Sequence, residues 1–487
     1  MAPHIPDEIL SHIMCYLVPV LPCKRRPWRY DHSLRPIDLA SLCLVSRRFR
    51  HIAQPLLYHT IDLTCSTDRA NDGEFLMWPG YLLKTIVKNP HLAKYIRVLA
   101  MTDMVFLYEK PKMVFLPETS SSDFPWDVPR CIRCALEPQI ADNSYNLPSI
   151  ALLLYATMAE KIFLFPSDPD GIEVGWIVRS WHPRGQPLDP SIDLGSDLTL
   201  ELGPFANYGL PCLKELYVDQ ADDEYWTIPL LEFLEKPGLS IFHLNHARSL
   251  TTLFVPQPLE GPLSSVHDLK LSDCYMESQS LENILRSCPR LQVLSVHVAE
   301  IEWAEQFFRQ WHPDIFWTIN LKHIGQALRD FGGNLIDLHL DFSNFKMARP
   351  ITSRIGSLCS MSKLRHLQCY RNDLIIAQEL GEEQEENTLP LDSVLPPSIV
   401  TLSIHYMEHD ILLSPPSSVI SAEIESILSS RRLQCLEQLR IQRYIPDTQD
   451  ELILFQTKMP GWSFDFKKTP CKVQNGFIEY LRFDRFG

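Results

Sequence analysis

Residues 405–409 read HYMEH and have the His-x-x-Glu-His spacing of one class of zinc peptidase. In such a site two histidines on one helix face bind zinc, and the glutamate acts as the catalytic base. The segment directly follows VTLSI, whose alternation predicts a strand, and a strand-to-turn segment does not place His405 and His409 one helical turn apart. We therefore predict no metal here, although a hydrolase that uses residues 405–409 remains one functional alternative.

The other short motifs offer no firmer chemistry. CIRC at 131–134 has zinc-knuckle spacing, but no second Cys or His pair follows at the distance that a structural zinc site needs. The sequence contains no G-x-x-x-x-G-K-[ST], no G-x-G-x-x-G and no G-x-S-x-G, so neither a phosphate-binding loop nor a nucleophile elbow is indicated. We predict that the chain is not an enzyme and uses no cofactor and no metal.

Charge and composition restrict the class of partner. The net charge of −15 over 487 residues argues against a general nucleic-acid-binding protein, which needs a basic surface. Residues 1–65 carry +3 and the remainder −18, which suggests two parts with different tasks.

No signal-peptide pattern is found, and no apolar run approaches the roughly 20 residues of a membrane span. With thirteen scattered cysteines, these features predict a reduced compartment, cytoplasmic or nuclear.

A short apolar pattern recurs along the second half of the chain. Each copy has an apolar residue, two others, a second apolar residue, one polar residue and a third apolar residue, except for VTLSI, which is a slightly shorter match. The copies are LKELYV at 213–218, LSIFHL at 239–244, VHDLKL at 266–271, LQVLSV at 291–296, LIDLHL at 335–340, LRHLQC at 364–369, VTLSI at 400–404 and LEQLRI at 436–441. Segments with helical apolar spacing lie between several copies. This is the leucine-rich-repeat pattern, in which a strand is followed by a turn and a helix.

The predicted fold class is α/β: a small N-terminal three-helix domain followed by an irregular leucine-rich-repeat solenoid, a curved parallel sheet with outer helices. An ordinary α/β protein with Leu-rich strands is the alternative. The predicted domains are residues 1–65 with an insertion at 18–36, degenerate repeats with irregular loops at 66–209, the solenoid at 210–445 and a C-terminal cap at 446–487. Residues 91–101 and 155–165 contain two further candidate strands.

The N-terminal run IPDEILSHIMCYL predicts a helix with a broad apolar stripe. Pro6 suits a first-turn position, and Asp7 and Glu8 suit the positive end of the helix dipole. The stripe consists of Ile9, Leu10, Ile13, Met14 and Leu17. A second stripe with helical spacing consists of Leu39, Leu42, Val45, Phe49 and Ile52, and Pro55 is predicted to break it.

Together these two stretches resemble an F-box. The residues that carry the resemblance are Pro6, Glu8, Ile9, Leu10, Ile13, Leu17, Asp38, Leu39, Leu42, Val45, Ser46, Arg47, Phe49, Ile52, Leu57 and Tyr58. Three features depart from the family pattern: Ile5 replaces the usual Leu, Phe49 replaces a frequent Trp, and the insertion exceeds the usual linker. The resemblance implies a substrate receptor of an SCF-type cullin–RING ubiquitin ligase, whose F-box docks on the Skp adaptor while the repeats hold an unknown protein substrate.

For adaptor docking we predict Pro6, Ile9, Leu10, Ile13, Leu17, Leu39, Leu42, Val45 and Phe49. Three short helices cannot bury enough surface alone, so a partner's helical surface would complete them. One alternative is that the helices only cover the end of the solenoid. Another is a leucine-rich-repeat scaffold that is not coupled to a ligase. Neither a nucleic acid nor a membrane is predicted as a partner.

The middle strand residue between the last two apolar positions of each copy is predicted to point to the concave face of the solenoid. These residues are Tyr217, His243, Lys270, Ser295, His339, Gln368, Ser403 and Arg440. Asp341 and Tyr370 lie one step beyond two of these strands. We predict a substrate-binding surface centred on Tyr217, His243, Lys270, His339, Asp341 and Tyr370. The alternative is that these side chains form an ordinary solvated strand face.

Overall fold

The chain forms two compact units, one of residues 1–226 with 236–241 and the other of residues 227–235 with 242–487. The computed structural model describes residues 5–18, 37–63, 82–102 without 84 and 87, 152–165 without 154, 210–219, 234–245 without 235, 264–274, 278–298, 319–343, 353–374, 390–406, 417–446, 461–470 and 476–486. The CIRC motif and most of the predicted insertion, residues 19–36, lie outside the described residues. The predicted domain boundaries remain predictions.

Three helices begin the first unit. Helix α1 is Asp7–Cys15, α2 is Ile37–Val45 and α3 is Arg47–Leu57. Their shared core consists of Leu10, Met14, Leu39, Ile52 and Ala53. These five side chains come from all three helices, so the helices form one packed group, as the sequence predicts.

The second apolar stripe extends over two helices instead of one. Ser46 adopts an extended conformation between α2 and α3, and its side chain accepts a hydrogen bond from the backbone N–H of Phe49. This is an N-cap, which begins a new helix although the apolar spacing continues across it. The prediction that Pro55 breaks the helix was wrong, because α3 continues to Leu57 with Pro55 in its last turn.

Four parallel strands follow in the first unit. They are β1 Thr60–Leu63, β2 Val98–Thr102, β3 Lys161–Phe165 and β4 Glu215–Asp219. Each strand pairs with the next one along the chain. The two candidate strands at 91–101 and 155–165 are confirmed as β2 and β3. Strand β1 has no counterpart among the predicted strands, because its four residues are too few to show a pattern.

The second unit contains a mainly parallel sheet. Its strands are β5 Ile241–Asn245, which begins at the border between the units, β6 Asp268–Cys274, β7 Val293–Val298, β8 Asp337–Asp341, β9 His366–Tyr370, β10 Thr401–His405, β11 Gln438–Pro446, β12 Trp462–Pro470 and β13 Gly476–Arg485. The spatial order is β5-β6-β7-β8-β9-β10-β11-β13-β12. Neighbours from β6 to β11 are parallel. The α/β class with a parallel sheet is therefore confirmed, and the leucine-rich-repeat assignment remains a prediction.

The strands alternate between a buried and a half-buried face. In β8, Leu338 and Leu340 are fully buried, whereas the three residues around them are half-buried. The same alternation is found in β5, β7 and β10. Because successive strand residues point to opposite faces, one face is apolar and the other is polar.

Among the described residues, five helices accompany these strands. They are α4 Ser278–Ser287, α5 Leu321–Phe331, α6 Arg371–Leu374, α7 Leu391–Val394 and α8 Ser417–Ser429. Helices α4 and α5 pack against each other. A glycine permits one close approach, since a Cβ atom on Gly325 would lie 1.9 Å from the carbonyl oxygen of Ile355. Position 325 of α5 therefore has no room for a side chain.

The sheet of the second unit ends in an antiparallel hairpin. Strand β13 pairs with β11 on one side and β12 on the other, and both pairings are antiparallel. Strand β11 also extends beyond the predicted solenoid end at residue 445 by one residue. The region predicted as a C-terminal cap thus adds two long strands to the sheet.

Candidate protein-docking surfaces

Helix α1 presents two different apolar surfaces. Leu10 and Met14 are buried in the core of the three helices. Ile9 and Ile13, one helical turn apart, are 52% and 54% exposed, and Leu17 just beyond the helix is also exposed. An apolar stripe on a free surface costs solvation free energy unless another surface covers it. The exposed stripe is therefore the part of α1 that a partner is able to contact.

Helix α2 likewise has apolar residues in the core and exposed apolar residues at its end. Leu39 is fully buried, and Leu42 packs against the same core. Leu44 and Val45 are 81% and 67% exposed. Of the predicted docking residues, the structure thus places Leu10, Leu39, Leu42 and Phe49 in or against the core, and Pro6, Ile9, Ile13, Leu17 and Val45 at the surface.

Exposed apolar side chains concentrate in this part of the chain. Eight of the thirteen large apolar side chains that are exposed among the described residues lie between residues 5 and 45. They are Ile5, Ile9, Ile13, Tyr16, Leu17, Ile37, Leu44 and Val45. The sequence reasoning missed Tyr16, Ile37 and Leu44, because a stripe with helical spacing identifies the core face and does not reveal apolar residues beside it.

A polar contact joins α1 to α3. The guanidinium of Arg48 donates to the carboxylate of Asp7, with Nε to Oδ1 at 2.6 Å, and also to the backbone carbonyl of Ile5. Both side chains are partly exposed, so the ion pair itself stabilises little. Its effect is to hold the start of α1 against α3, which orients the exposed stripe.

A single row of side chains runs across the polar face of the second unit. The strand register places Lys270, Ser295, His339, Gln368, Ser403 and Arg440 next to one another, one from each strand from β6 to β11. We call these six residues the polar row. All but Arg440 are half-buried. Six of the eight residues in the predicted row are therefore neighbours within this unit, and their role in binding remains a prediction.

Two of the predicted substrate-binding residues lie at the start of this face. His243 on β5 faces Asp268 on β6, with Nε2 and Oδ1 3.2 Å apart. Lys270 is two residues beyond Asp268 on β6. The half-buried imidazole and carboxylate face each other at ion-pair distance, so their outer atoms are the ones that a ligand could reach.

A second group surrounds Asp341 at the end of β8. The Asp341 carboxylate accepts hydrogen bonds from the N–H and hydroxyl of Ser343, at 3.0 and 2.7 Å. Across the sheet, the ring of Tyr370 lies 5.1 Å from that of His405. His339, on the same strand as Asp341, bonds through Nδ1 to the Ser295 hydroxyl at 3.2 Å.

Burial governs the ionisation of this group. It lowers the pKa of His339 and of His405, although the nearby Asp341 carboxylate opposes the change in both. Burial also raises the pKa of the Tyr370 phenol to about 12, with Asp341 adding to the effect. At neutral pH these imidazoles therefore bond as neutral donors and acceptors.

Tyr217 belongs to the first unit and has a different environment. Its ring stacks on that of Phe163 at 4.7 Å, and the ammonium of Lys161 lies 4.7 Å from the Tyr217 ring centre. The Tyr217 hydroxyl donates to Glu215, which also pairs with Lys161 at 2.8 Å. The ring is buried, so the edge of this cluster is what a ligand could reach.

The described residues hold no group of three or more His, Cys, Asp or Glu side chains that could bind a metal ion. His405 is the last residue of β10, and residues 407–409 of the HYMEH motif lie outside the described residues. A strand position for His405 agrees with the argument against the helical zinc motif. In the described part of the chain, no helix has both the length and the apolar character to cross a membrane.

Comparison with known proteins adds one finding. A search of curated proteins found no match to the chain. The model of the F-box-like family matches residues 2–64. The matched segment includes helices α1, α2 and α3 and ends directly after β1. Residues 2–64 are therefore an F-box-like domain.

Proposed function

We propose that this chain is a non-catalytic substrate-recognition subunit of an SCF-type E3 ubiquitin ligase. In this role the F-box-like domain docks on a Skp adaptor, which links it to a cullin–RING ligase. The strands behind it, which we interpret as leucine-rich repeats, bind the protein to be ubiquitinated. The observation that carries the proposal is the concentration of exposed apolar side chains on the F-box-like domain.

The division of α1 favours docking over a purely internal role. Leu10 and Met14 pack α1 into the core with α2 and α3, whereas their neighbours Ile9 and Ile13 remain half exposed. Burying two Ile side chains against a partner would contribute several kcal/mol, at about 25 cal/mol per Å² of apolar surface. Helix α3 meanwhile contacts the 3-10 helix Pro90–Tyr95 within the first unit, so one side of the domain covers the unit while another is open.

The polar row and the group around Asp341 support a protein as the second ligand. They expose hydrogen-bonding side chains along neighbouring strands, and parallel strands with an open face suit extended protein surfaces. We propose that Lys270, His339, Asp341, Tyr370 and His243 contact the substrate. Tyr217, in the first unit, is a separate proposed contact residue. Alanine substitution at these positions is expected to weaken substrate capture while adaptor binding is unchanged.

The deciding experiment measures binding of the full-length protein to a purified Skp adaptor by calorimetry. We expect the wild type to bind and an Ile9→Asp/Ile13→Asp variant to lose at least about a hundredfold in affinity, since both charges would have to be desolvated. Val419→Asp is the matched control, because it places the same charge on an exposed apolar position of α8. Absence of binding by a folded wild type would favour the scaffold without a ligase.

A further inference from the structure

One edge of the last strand of the second unit has no partner strand among the described residues. Strand β12 pairs with β13 on one side, and no described strand pairs with its other side. Residues 464–468 of this strand are exposed. An exposed strand edge carries backbone N–H and C=O groups that can pair with another strand.

The register shows which backbone groups face outward. The N–H of Phe486 bonds to the carbonyl of Gly461, so Gly461 points toward β13. Because hydrogen-bonding direction alternates along an antiparallel strand, Ser463, Asp465 and Lys467 also point toward β13. The N–H and C=O groups of Phe464, Phe466 and Lys468 then point outward. The bond from the Phe466 N–H to its neighbour, the Asp465 carboxylate, at 2.9 Å agrees with this assignment.

The side chains divide between the two faces of the strand. Phe464 and Phe466 are 46% and 41% exposed and continue the apolar face, where Phe464 packs 5.0 Å from the ring of Phe483. Asp465 and Lys467 lie on the polar face, two residues apart. The exposed centre of the edge thus has an aromatic side and a side with one acid and one base.

We propose that two copies of this chain associate by antiparallel pairing of their β12 strands about a two-fold axis at Phe466. This register places Asp465 opposite Lys467 of the second copy, and Lys467 opposite its Asp465. It also places the two Phe466 side chains opposite each other. An axis at residue 465 or 467 would set like charges opposite each other, which is destabilising. An axis at Phe464 would leave Lys467 without a carboxylate.

The pairing exchanges a bond within each chain for backbone bonds and ion pairs between the two chains. The outward N–H of Phe466, now bonded to the Asp465 side chain, would bond to the carbonyl of Phe466 in the second copy. The Asp465 carboxylate would be released to pair with Lys467, which makes no ion pair with the described residues of its own chain. A two-fold interface uses every such contact twice.

The test is the solution mass of the full-length protein, measured by light scattering over a range of concentrations. We expect the wild type to approach twice 56.2 kDa as concentration rises. Lys467→Asp sets Asp opposite Asp at two symmetric positions and is expected to weaken the dimer about tenfold or more. The double variant Asp465→Lys/Lys467→Asp restores opposite charges and is expected to recover dimerisation. Lys322→Asp on the exposed face of α5 is the matched control.

A cysteine experiment tests the register and does not depend on the charge variants. In the proposed dimer the Cα atoms of the two residues 466 lie about 5.5 Å apart, within the range of a disulfide. Phe466→Cys is therefore expected to form a covalent dimer on mild oxidation. Phe464→Cys, whose two copies would be roughly 15 Å apart, should cross-link no more than the wild type.

Several results would overturn the proposal. The wild type could stay monomeric at every concentration, or Lys467→Asp could leave the dimer unchanged. The double variant could also fold and yet stay monomeric. A dimer that disappears in the Ile9→Asp/Ile13→Asp variant would place the contact on α1 instead. The proposal does not rest on the ligase function, since adaptor binding is measured separately on the same proteins.

Discussion

At the scale of single residues, burial gives two histidines a measurable role. His339 and His405 are neighbours of the Asp341 carboxylate, yet burial is the larger influence and lowers the pKa of both. Their pKa in the folded state is therefore below the unfolded value of roughly 6.5. The unfolded chain binds more protons in this window, so their contribution to stability is complete above about pH 6.5 and decreases as pH falls below it.

We predict that the free energy of unfolding of the wild type falls more steeply between about pH 7.5 and about pH 5.5 than that of a His339→Gln/His405→Gln variant. Urea unfolding followed by circular dichroism at several pH values measures the slope. Equal slopes would show that these histidines titrate alike in the folded and unfolded chain.

At the scale of secondary-structure elements, the alternating apolar pattern predicted strands β4 to β11 correctly. In each predicted copy two apolar positions separated by one polar residue become a buried strand face, and this is local information. The leucine pattern did not predict the hairpin β12–β13, because residues 462–467 read WSFDFK and have aromatic residues at their apolar positions instead of leucine. The division of the F-box-like docking residues into core and surface also depends on how three helices pack, which a single stripe does not specify.

One element-scale prediction concerns the approach of α5 to the segment around Ile355. Gly325→Ala is expected to lower the free energy of unfolding by about 1–3 kcal/mol, because the new Cβ would overlap the Ile355 carbonyl unless the backbone moves. Gly333→Ala is the matched control, since no atom lies within 4 Å of its added Cβ. Equal stability of the two variants would mean that α5 shifts without cost.

A second element-scale prediction concerns the attachment of α8. Glu423 on α8 accepts hydrogen bonds from Arg371 Nε at 3.0 Å and from the Tyr406 hydroxyl at 2.9 Å. The Arg371 and Glu423 side chains are only 10% and 16% exposed. Arg371→Met would leave a buried carboxylate without its cation, which we expect to cost about 3–5 kcal/mol. Arg371→Met/Glu423→Met removes both charges and is expected to cost less.

Urea unfolding of the single and double variants measures this difference. The carboxylate of Glu423 also raises the pKa of Tyr406 well above its usual value, second to burial itself. Tyr406→Phe therefore serves as a further control that removes one hydrogen bond and no charge. If the double variant were less stable than Arg371→Met, the ion pair would not be the reason for the loss.

At the scale of the whole molecule, the cysteines differ in how accessible their thiols are to solvent. Among the described residues, Cys15 and Cys435 are exposed, whereas Cys274, Cys288 and Cys369 are buried. Burial raises the pKa of Cys288 to about 12, so its thiol is protonated as well as inaccessible. Alkylation of the native protein, followed by mass spectrometry, is expected to modify Cys15 and Cys435 and to spare the three buried thiols until denaturant is added. Early modification of Cys288 would contradict the fold of the second unit.

The distance between neighbouring residues of the polar row limits which of them one extended peptide can contact. Neighbouring residues of the row, such as Lys270 and Ser295, belong to adjacent strands and are therefore about 4.8 Å apart. An extended peptide lying across the strands presents side chains to one face about every 6.8 Å. Three steps of the row, about 14.4 Å, nearly equal two steps of the peptide, about 13.6 Å. Peptide side chains and row residues therefore lie opposite each other only at every third strand. One peptide could place side chains directly over His339 and Arg440, but not over the two residues between them.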